Sequence, residues 1–302
     1  MRFNLKPIQE QVIVITGASS GIGMATALLA AERGAKVVVA ARSDGALASV
    51  AAEICSKGGQ AIHVVADVAN RDHVERIARL TIDRFGRFDT WVNDAGVAIY
   101  GRLDQVTDED SRRLFDVNFW GVVNGSLVAL EHLRARGGAL VNVGSEVSDA
   151  VIPLQGMYSA SKHAVKGFTD ALRVEVEQVD QAPVSITLVQ PTAVDTPYPQ
   201  HAKNYMDHEP KLPSPKIDPY KVARAIVNAA EHHVRDVTVG AMAKMNTTVA
   251  KLVPKLGDAL SATYKDKQHY DEPPRNPQGT LDQPGESGRV YGSGPAKAAG
   301  SR

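Results

Sequence analysis

The sequence predicts an α/β protein, a doubly wound parallel sheet of about seven strands with helices on both faces, folded as a single domain. Three observations predict it. Short β-branched runs alternate with longer helical patterns from Val12 onward, the signature of βα units on a parallel sheet. Glycines cluster between the first such run and the first helix, where a doubly wound sheet opens its ligand crevice. And 302 residues, 43% of them hydrophobic, are enough for one large core.

The strands in order are VIVITG (Val12 to Gly17), KVVVAA (Lys36 to Ala41), AIHVVA (Ala61 to Ala66), FDTWVN (Phe88 to Asn93), ALVNVG (Ala139 to Gly144), VSITLV (Val184 to Val189) and DVTVG (Asp236 to Gly240). Between the fourth and fifth, a long helix is expected from about Asp108, with an acidic first turn, to Arg136, where Gly137-Gly138 supplies the stop. A second long helix is expected over Gly156 to Val179 and carries Tyr158 and Lys162. Seven prolines from Pro191 to Pro219 exclude a helix or central strand there, so residues 191–219 are expected to form a long substrate loop. Residues 241–260 repeat Met242, Met245, Val249, Leu252, Leu256 and Leu260 at helical steps, with a break at Pro254. That stripe suits core or subunit packing, a pocket wall or, beside Lys244, Lys251 and Lys255, a lipid-facing surface. The domain therefore spans 1–260. Residues 261–302, rich in proline and glycine and poor in large aliphatics, are expected to be a disordered tail.

Lys+Arg and Asp+Glu are equal at 34 each, which leaves no global field to draw the chain to nucleic acid. The single cysteine, Cys55, cannot form an intrachain disulfide and suits a reducing compartment. Met1 to Glu10 lacks a signal-peptide apolar core and no run is long enough to span a bilayer, so a cytoplasmic location is expected. The nine histidines show no HExxH or similar spacing, so no metal site is expected, and without a GxSxG elbow a hydrolase is set aside.

Thr16-Gly17-Ala18-Ser19-Ser20-Gly21-Ile22-Gly23 places glycines where backbone must approach a pyrophosphate and where a helix N-terminus offers free N–H groups to it. Tyr158 and Lys162 stand four apart and so share a helix face; Ser145 follows the fifth strand directly, and Asn118 lies in the long preceding helix. Taken together, the TGxxxGIG spacing and the ordered Asn118, Ser145, Tyr158 and Lys162 resemble the short-chain dehydrogenase/reductase family over about Val12 to Gly240.

The resemblance implies a Rossmann-type fold, a carbonyl–alcohol oxidoreductase and four working residues: Tyr158 as general acid/base, Lys162 lowering its pKa and binding the nicotinamide ribose, Ser145 holding the substrate oxygen, and Asn118 keeping a relay water. It implies cofactor contacts from Gly17, Ser19, Ser20, Gly21, Ile22 and Gly23, from Asp67 and Val68 after the third strand, and from Asn93, Ala95 and Gly96. Asp94 replaces the second Asn of the family's NNAG motif, a change taken as minor. Pro191, Val194 and Thr196 complete the nicotinamide side, with Thr192 departing from the family's Pro-Gly.

At the end of the second strand, where a carboxylate would favour a free ribose, the chain has Arg42, which can bind a 2′-phosphate; NADP(H) is therefore expected over NAD(H), with Asp44 the nearby carboxylate that could reverse the choice. The expected partners are a small carbonyl or alcohol substrate, apolar where Val151, Ile152, Leu154 and Met157 face it, and a second copy of the chain, since family members pair through the helices bearing Asn118 and Tyr158 as dimers or tetramers. The competing reading is a sensor or scaffold that binds NADPH without turnover.

Overall fold

The computed structural model describes residues 3–285 and 288–293. Seven strands form one parallel sheet: β1 (Val12–Thr16), β2 (Lys36–Ala41), β3 (Gln60–Val65), β4 (Thr90–Asn93), β6 (Gly138–Val143), β7 (Val184–Pro191) and β9 (Asp236–Val239); the two-residue β5 (Ile99–Tyr100) and β8 (Lys203–Asn204) pair separately. The order across the sheet is β3-β2-β1-β4-β6-β7-β9. Each predicted strand is present, within about two residues at either end.

Strand composition explains the layers. β1 is buried along its whole length, as a strand covered on both faces must be. Its side chains alternate: Ile13 and Ile15 join Met24, Val37, Val39 and Ile226 on one face, while Val12 and Val14 join Val38, Ile77, Leu133 and Leu172 on the other. The first face is covered by α1 (Gly21–Glu32), α2 (Asp44–Ser56) and α8 (Pro219–Glu231); the second by α3 (Arg71–Phe85), α5 (Gly121–Arg136) and α6 (Gly156–Arg173). Sheet order reverses at β1 and β4, so the connections from their C-terminal ends diverge and leave a crevice.

The two long helices are as expected, with one addition each. α4 (Asp108–Phe115) is N-capped by the Thr107 side chain and runs through a π-helical turn, Asp116–Trp120, into α5, which stops at Gly137 with φ 77°. α6 likewise passes into a π-helical turn, Val174–Val179. The proline-rich loop contains a short helix, α7 (Tyr198–His201), led by proline. α9 (Ala241–Leu252) and α10 (Pro254–Ala262) break at Pro254, and most of their apolar stripe is exposed: Leu252 is 76% and Leu256 49% accessible. Among the described residues no helix is long and apolar enough to cross a membrane.

The expectation of a disordered tail is corrected for the described part of 261–302. Leu281 and Gln268 are fully buried and Val290 nearly so. Backbone bonds tie the segment down, among them Thr280 N–H to His201 O at 2.7 Å and Gly21 N–H to Arg289 O at 3.0 Å. Composition understates the segment because polar anchors and one leucine offset its ordering cost, rather than an apolar stripe of its own.

Asp89, just before β4, holds the sheet's N-terminal edge together. Its carboxylate accepts Val12 N–H at 2.8 Å, Lys6 Nζ at 2.5 Å and Arg87 Nε at 3.1 Å. Asp89→Ala strands the buried Val12 N–H and should cost about 1–3 kcal/mol in urea unfolding, against less than about 0.5 kcal/mol for the exposed Asp104→Ala.

Candidate active site

β1 delivers the chain at Thr16 into the glycine turn, and α1 starts at Gly21. Gly17 and Gly21 have φ of 73° and 54°, a left-handed backbone that glycine adopts without strain. A Cβ on Gly23 would lie 2.5 Å from Gly17 O, so the turn closes on the helix only without a side chain there. Thr16 Oγ1 accepts Asp94 N–H at 3.2 Å and Ala95 N–H at 3.3 Å, fixing the turn against the end of β4.

One cleft of about 250 Å³ runs from this turn across the sheet's C-terminal edge. Gly17, Ser19, Ser20, Gly21, Ile22, Arg42, Asp67, Val68, Ala95 and Gly96 line one end; Ser145, Tyr158, Lys162, Pro191, Val194 and Thr196 line the other. Gly23, Asn93 and Asn118 do not. For Asn93 this corrects the cofactor assignment: its side chain accepts Trp91 Nε1–H at 2.8 Å and donates to Asn142 Oδ1 at 2.9 Å and Ser126 Oγ at 3.2 Å, inside the sheet–α5 interface. A dinucleotide fits this lining, with glycine backbone and the α1 N-terminus at its centre, where Gly21 N–H is held by Arg289 O and Gly23 N–H by Asp94, and with Arg42 at the end where an adenosine ribose would lie.

Tyr158 and Lys162 lie one turn apart on α6, with Nζ 5.7 Å from the phenol ring centroid. Lys162 is buried, donates to Val143 O at 2.8 Å, and faces the carboxylate of Asp94. Burial pulls its pKa down to about 8, against the partly compensating charge of Asp94. Ser145 caps the 3-10 turn Glu146–Ser148, accepting Val147 N–H at 3.3 Å, and its hydroxyl also meets the Tyr158 phenol. The strand-end cap and the hydroxyl that meets Tyr158 are therefore one residue.

Burial pushes the Tyr158 pKa up to about 12, although hydrogen bonds with the Tyr198 and Ser145 hydroxyls pull it down. Desolvation is the largest cause of the shift, and the Lys162 ammonium is directed at Val143 O and Asp94. Burial also lifts Asp94 to about 7, so the residue taken as a minor substitution is an ionisable group under the glycine turn, bonded to Gly23 N–H.

Asn118 sits fully buried in the π-helical turn. Its amide accepts Val97 N–H at 2.8 Å and donates to Val97 O at 3.0 Å and Ser161 Oγ at 3.1 Å. It ties the segment after β4 to α6, one residue before Lys162. Such turns place one extra residue in a helix and are frequent at functional sites.

Two further residues of the site lie in segments expected to face the substrate but belong to no motif. Tyr198, from α7, packs edge-on against Tyr158 at 5.3 Å between centroids and donates to Gln155 Oε1 at 2.7 Å. Glu146, next to Ser145, accepts Thr192 Oγ1–H at 3.1 Å and Asn246 Nδ2–H at 2.9 Å, and burial raises its pKa. It lines both the main cleft and a second cavity of about 170 Å³ walled by Val151, Val249, Pro254 and Leu260. The helices at 241–260 therefore line a pocket on one side. Neither residue belongs to a local motif; only the long-range fold brings them to Tyr158.

At the Arg42 end of the cleft Asp67 binds Arg113 Nη2 at 2.6 Å and Ala69 N–H at 3.0 Å, and Asn70 caps α3. Asp44 turns toward His63 Nε2 at 3.2 Å. Arg42 donates through Nη1 to Leu281 O at 3.1 Å and Asp282 O at 3.3 Å, and through Nη2 to Thr280 O.

Comparison with known proteins agrees with this architecture. The short chain dehydrogenase family profile matches residues 11–206. The uncharacterized oxidoreductase YxnA of Bacillus subtilis is 47% identical over 280 residues, 92% of this chain and 78% of that protein. Among solved structures, a short chain dehydrogenase/reductase from Burkholderia phymatum in complex with NAD superposes with a TM-score of 0.74 at 25% identity, covering 84% of this chain and 96% of that one. An alcohol dehydrogenase from Thermococcus sibiricus complexed with 5-hydroxy-NADP does so with 0.66 at 28% identity, covering 76% and 95%. With its glycine turn, its seven-stranded sheet and its Tyr158–Lys162 helix, the chain belongs to the short-chain dehydrogenase family and is an oxidoreductase of that family.

Proposed function

We propose that the protein is an NADP(H)-dependent oxidoreductase that interconverts a carbonyl and an alcohol, with Tyr158 as the proton donor and acceptor. The observation that carries this reading is the meeting of Tyr158, Ser145 and Lys162 at one end of a cleft whose other end is the glycine turn. The bound nicotinamide supplies or takes the hydride.

Reduction builds negative charge on the substrate oxygen, and the Tyr158 hydroxyl delivers its proton there as that charge develops. Ser145 hydrogen bonds the same oxygen and holds it at the phenol. In oxidation the tyrosinate must take the proton back, and a phenol buried to a pKa of about 12 needs positive charge nearby to do so. Lys162 is the protein's cation for that purpose, and Asp94 keeps it charged. Arg42 favours the 2′-phosphate of NADP(H), as a guanidinium at the ribose end of the cleft. The apolar flank at Val147 and Ile152 supports a largely apolar ketone, aldehyde, steroid-like or acyl substrate.

Tyr158→Phe should lower kcat about 10²- to 10⁴-fold while NADPH still binds in fluorescence titration. Retained turnover would remove the phenol from the mechanism, and tight binding with no turnover by the parent protein on any carbonyl would favour the sensor. Arg42→Ala should weaken NADPH roughly 10- to 100-fold and leave NADH nearly unchanged, the loss expected for charge-assisted bonds to one phosphate; equal losses would remove the NADP(H) preference.

The pH dependence follows from Lys162. Its cation is present below a pKa of about 8 and lost above it, so kcat/KM for NADPH, which reports the cofactor-free enzyme, should fall on the alkaline side. Asp94 raises that pKa, so Asp94→Asn should move the alkaline limb to lower pH. A limb that stays in place would show that Asp94 does not set the charge of Lys162.

A further inference from the structure

The C-terminal segment crosses the cleft instead of leaving the domain. Pro277 O accepts Asn204 N–H at 2.8 Å, Thr280 N–H donates to His201 O, and the Leu281 side chain is wholly buried in the core on the α3 side. Farther on, Arg289 O accepts Gly21 N–H at the glycine turn, and Ser293 O accepts Gln200 Nε2–H at 3.4 Å. Thr280, Pro284 and Gly285 line the cleft together with Arg42.

Three consecutive carbonyls, of Thr280, Leu281 and Asp282, converge on the two terminal nitrogens of Arg42. Those are the donors a bidentate contact to a phosphate would use. Leu281 O is held a second time by Arg113 Nε at 3.4 Å, and the Asp282 carboxylate acts electrostatically on Arg42. A 2′-phosphate arriving at Arg42 therefore meets a guanidinium already engaged and a carboxylate of its own sign. A free ribose hydroxyl carries no charge and has no need of that guanidinium.

We propose that residues 280–282 determine cofactor choice, by occupying Arg42 so that NADP(H) binds with this strap displaced and NAD(H) binds with it in place. The proposal rests on Arg42 being the 2′-phosphate donor. Charge-assisted bonds to a phosphate are stronger than those to neutral carbonyls, so NADP(H) can win the exchange, but part of its advantage goes into releasing the strap. By linkage, whatever loosens the strap raises affinity for NADP(H) selectively, and NADP(H) in turn loosens the strap.

The test uses the full-length protein and needs no turnover. Dissociation constants for NADP⁺ and NAD⁺ are measured for the parent, Arg42→Ala, Gly279→Val, Asp282→Asn, and each of the last two combined with Arg42→Ala. Gly279 has φ 57° and a Cβ there would come within 2.4 Å of the Ala202 backbone, so valine unseats the strap; Asp282→Asn removes only an exposed carboxylate and keeps the test open if the first variant does not fold. The preference for NADP⁺ over NAD⁺ should rise about tenfold in Gly279→Val and about threefold in Asp282→Asn, and Arg42→Ala should erase both gains. An unchanged or lower preference in the strap variants overturns the proposal while leaving Arg42 as the phosphate reader. If Arg42→Ala alone leaves the preference unaltered, the reading of Arg42 falls and the strap's role falls with it.

Discussion

The close approach of the glycine turn to the end of β4 is the constraint on which the rest of the site depends. A Cβ on Gly17 would lie 2.7 Å from both Cα and N of Ala95, so backbone packs directly on backbone there. That contact sets the angle at which α1 leaves the sheet and thus where its N-terminal N–H groups point. It also brings Asp94 beneath the turn, within reach of Gly23 N–H and of the charge on Lys162. The glycine turn and the charge of Lys162 are thereby coupled through a short stretch of main chain.

Burial governs the chemistry around Tyr158. Removing a phenol and an ammonium from water moves their pKa values in opposite directions, the first up to about 12 and the second down to about 8. Both shifts favour the neutral forms. The site is therefore poised for charge to enter with its ligand: a positively charged group bound beside Tyr158 favours the phenolate more strongly here than it would in water, because little solvent screens it. The same dryness explains why Asp94, at about 7, lies near the midpoint of its own titration at neutral pH.

Local periodicity makes much of this legible in the amino-acid sequence alone. The strands announce themselves because both faces are covered and their residues are continuously apolar, and Tyr158 and Lys162 because i,i+4 spacing places two side chains on one helix face. Asn93 misleads because a strand-end residue alternates between faces, and its side chain is on the face that packs against α5 rather than the crevice. Tyr198 and Glu146 are silent because their partners, Gln155 and Asn246, lie 43 and 100 residues away. The tail misleads for a different reason. Composition weighs a segment's own capacity to bury apolar surface, whereas this one is held by donors on the domain: Arg42, Arg113 and the backbone of Gly21.

The two ends of the cleft are built on opposite physical principles. Around Tyr158, side chains are dry and fixed by hydrogen bonds within the domain. Around Arg42 they are partly exposed and networked: Arg42 with the tail carbonyls, Arg113 with Asp67, Lys203 with Asp110 at 2.9 Å. A network of exchangeable charge-assisted bonds tolerates rearrangement, since each donor can trade one acceptor for another at small net cost. A buried constellation does not, because any group left unpaired there bears its full desolvation penalty. Adaptability in this fold thus belongs at the Arg42 end of the cleft, where the C-terminal segment lies, and rigidity at the Tyr158 end.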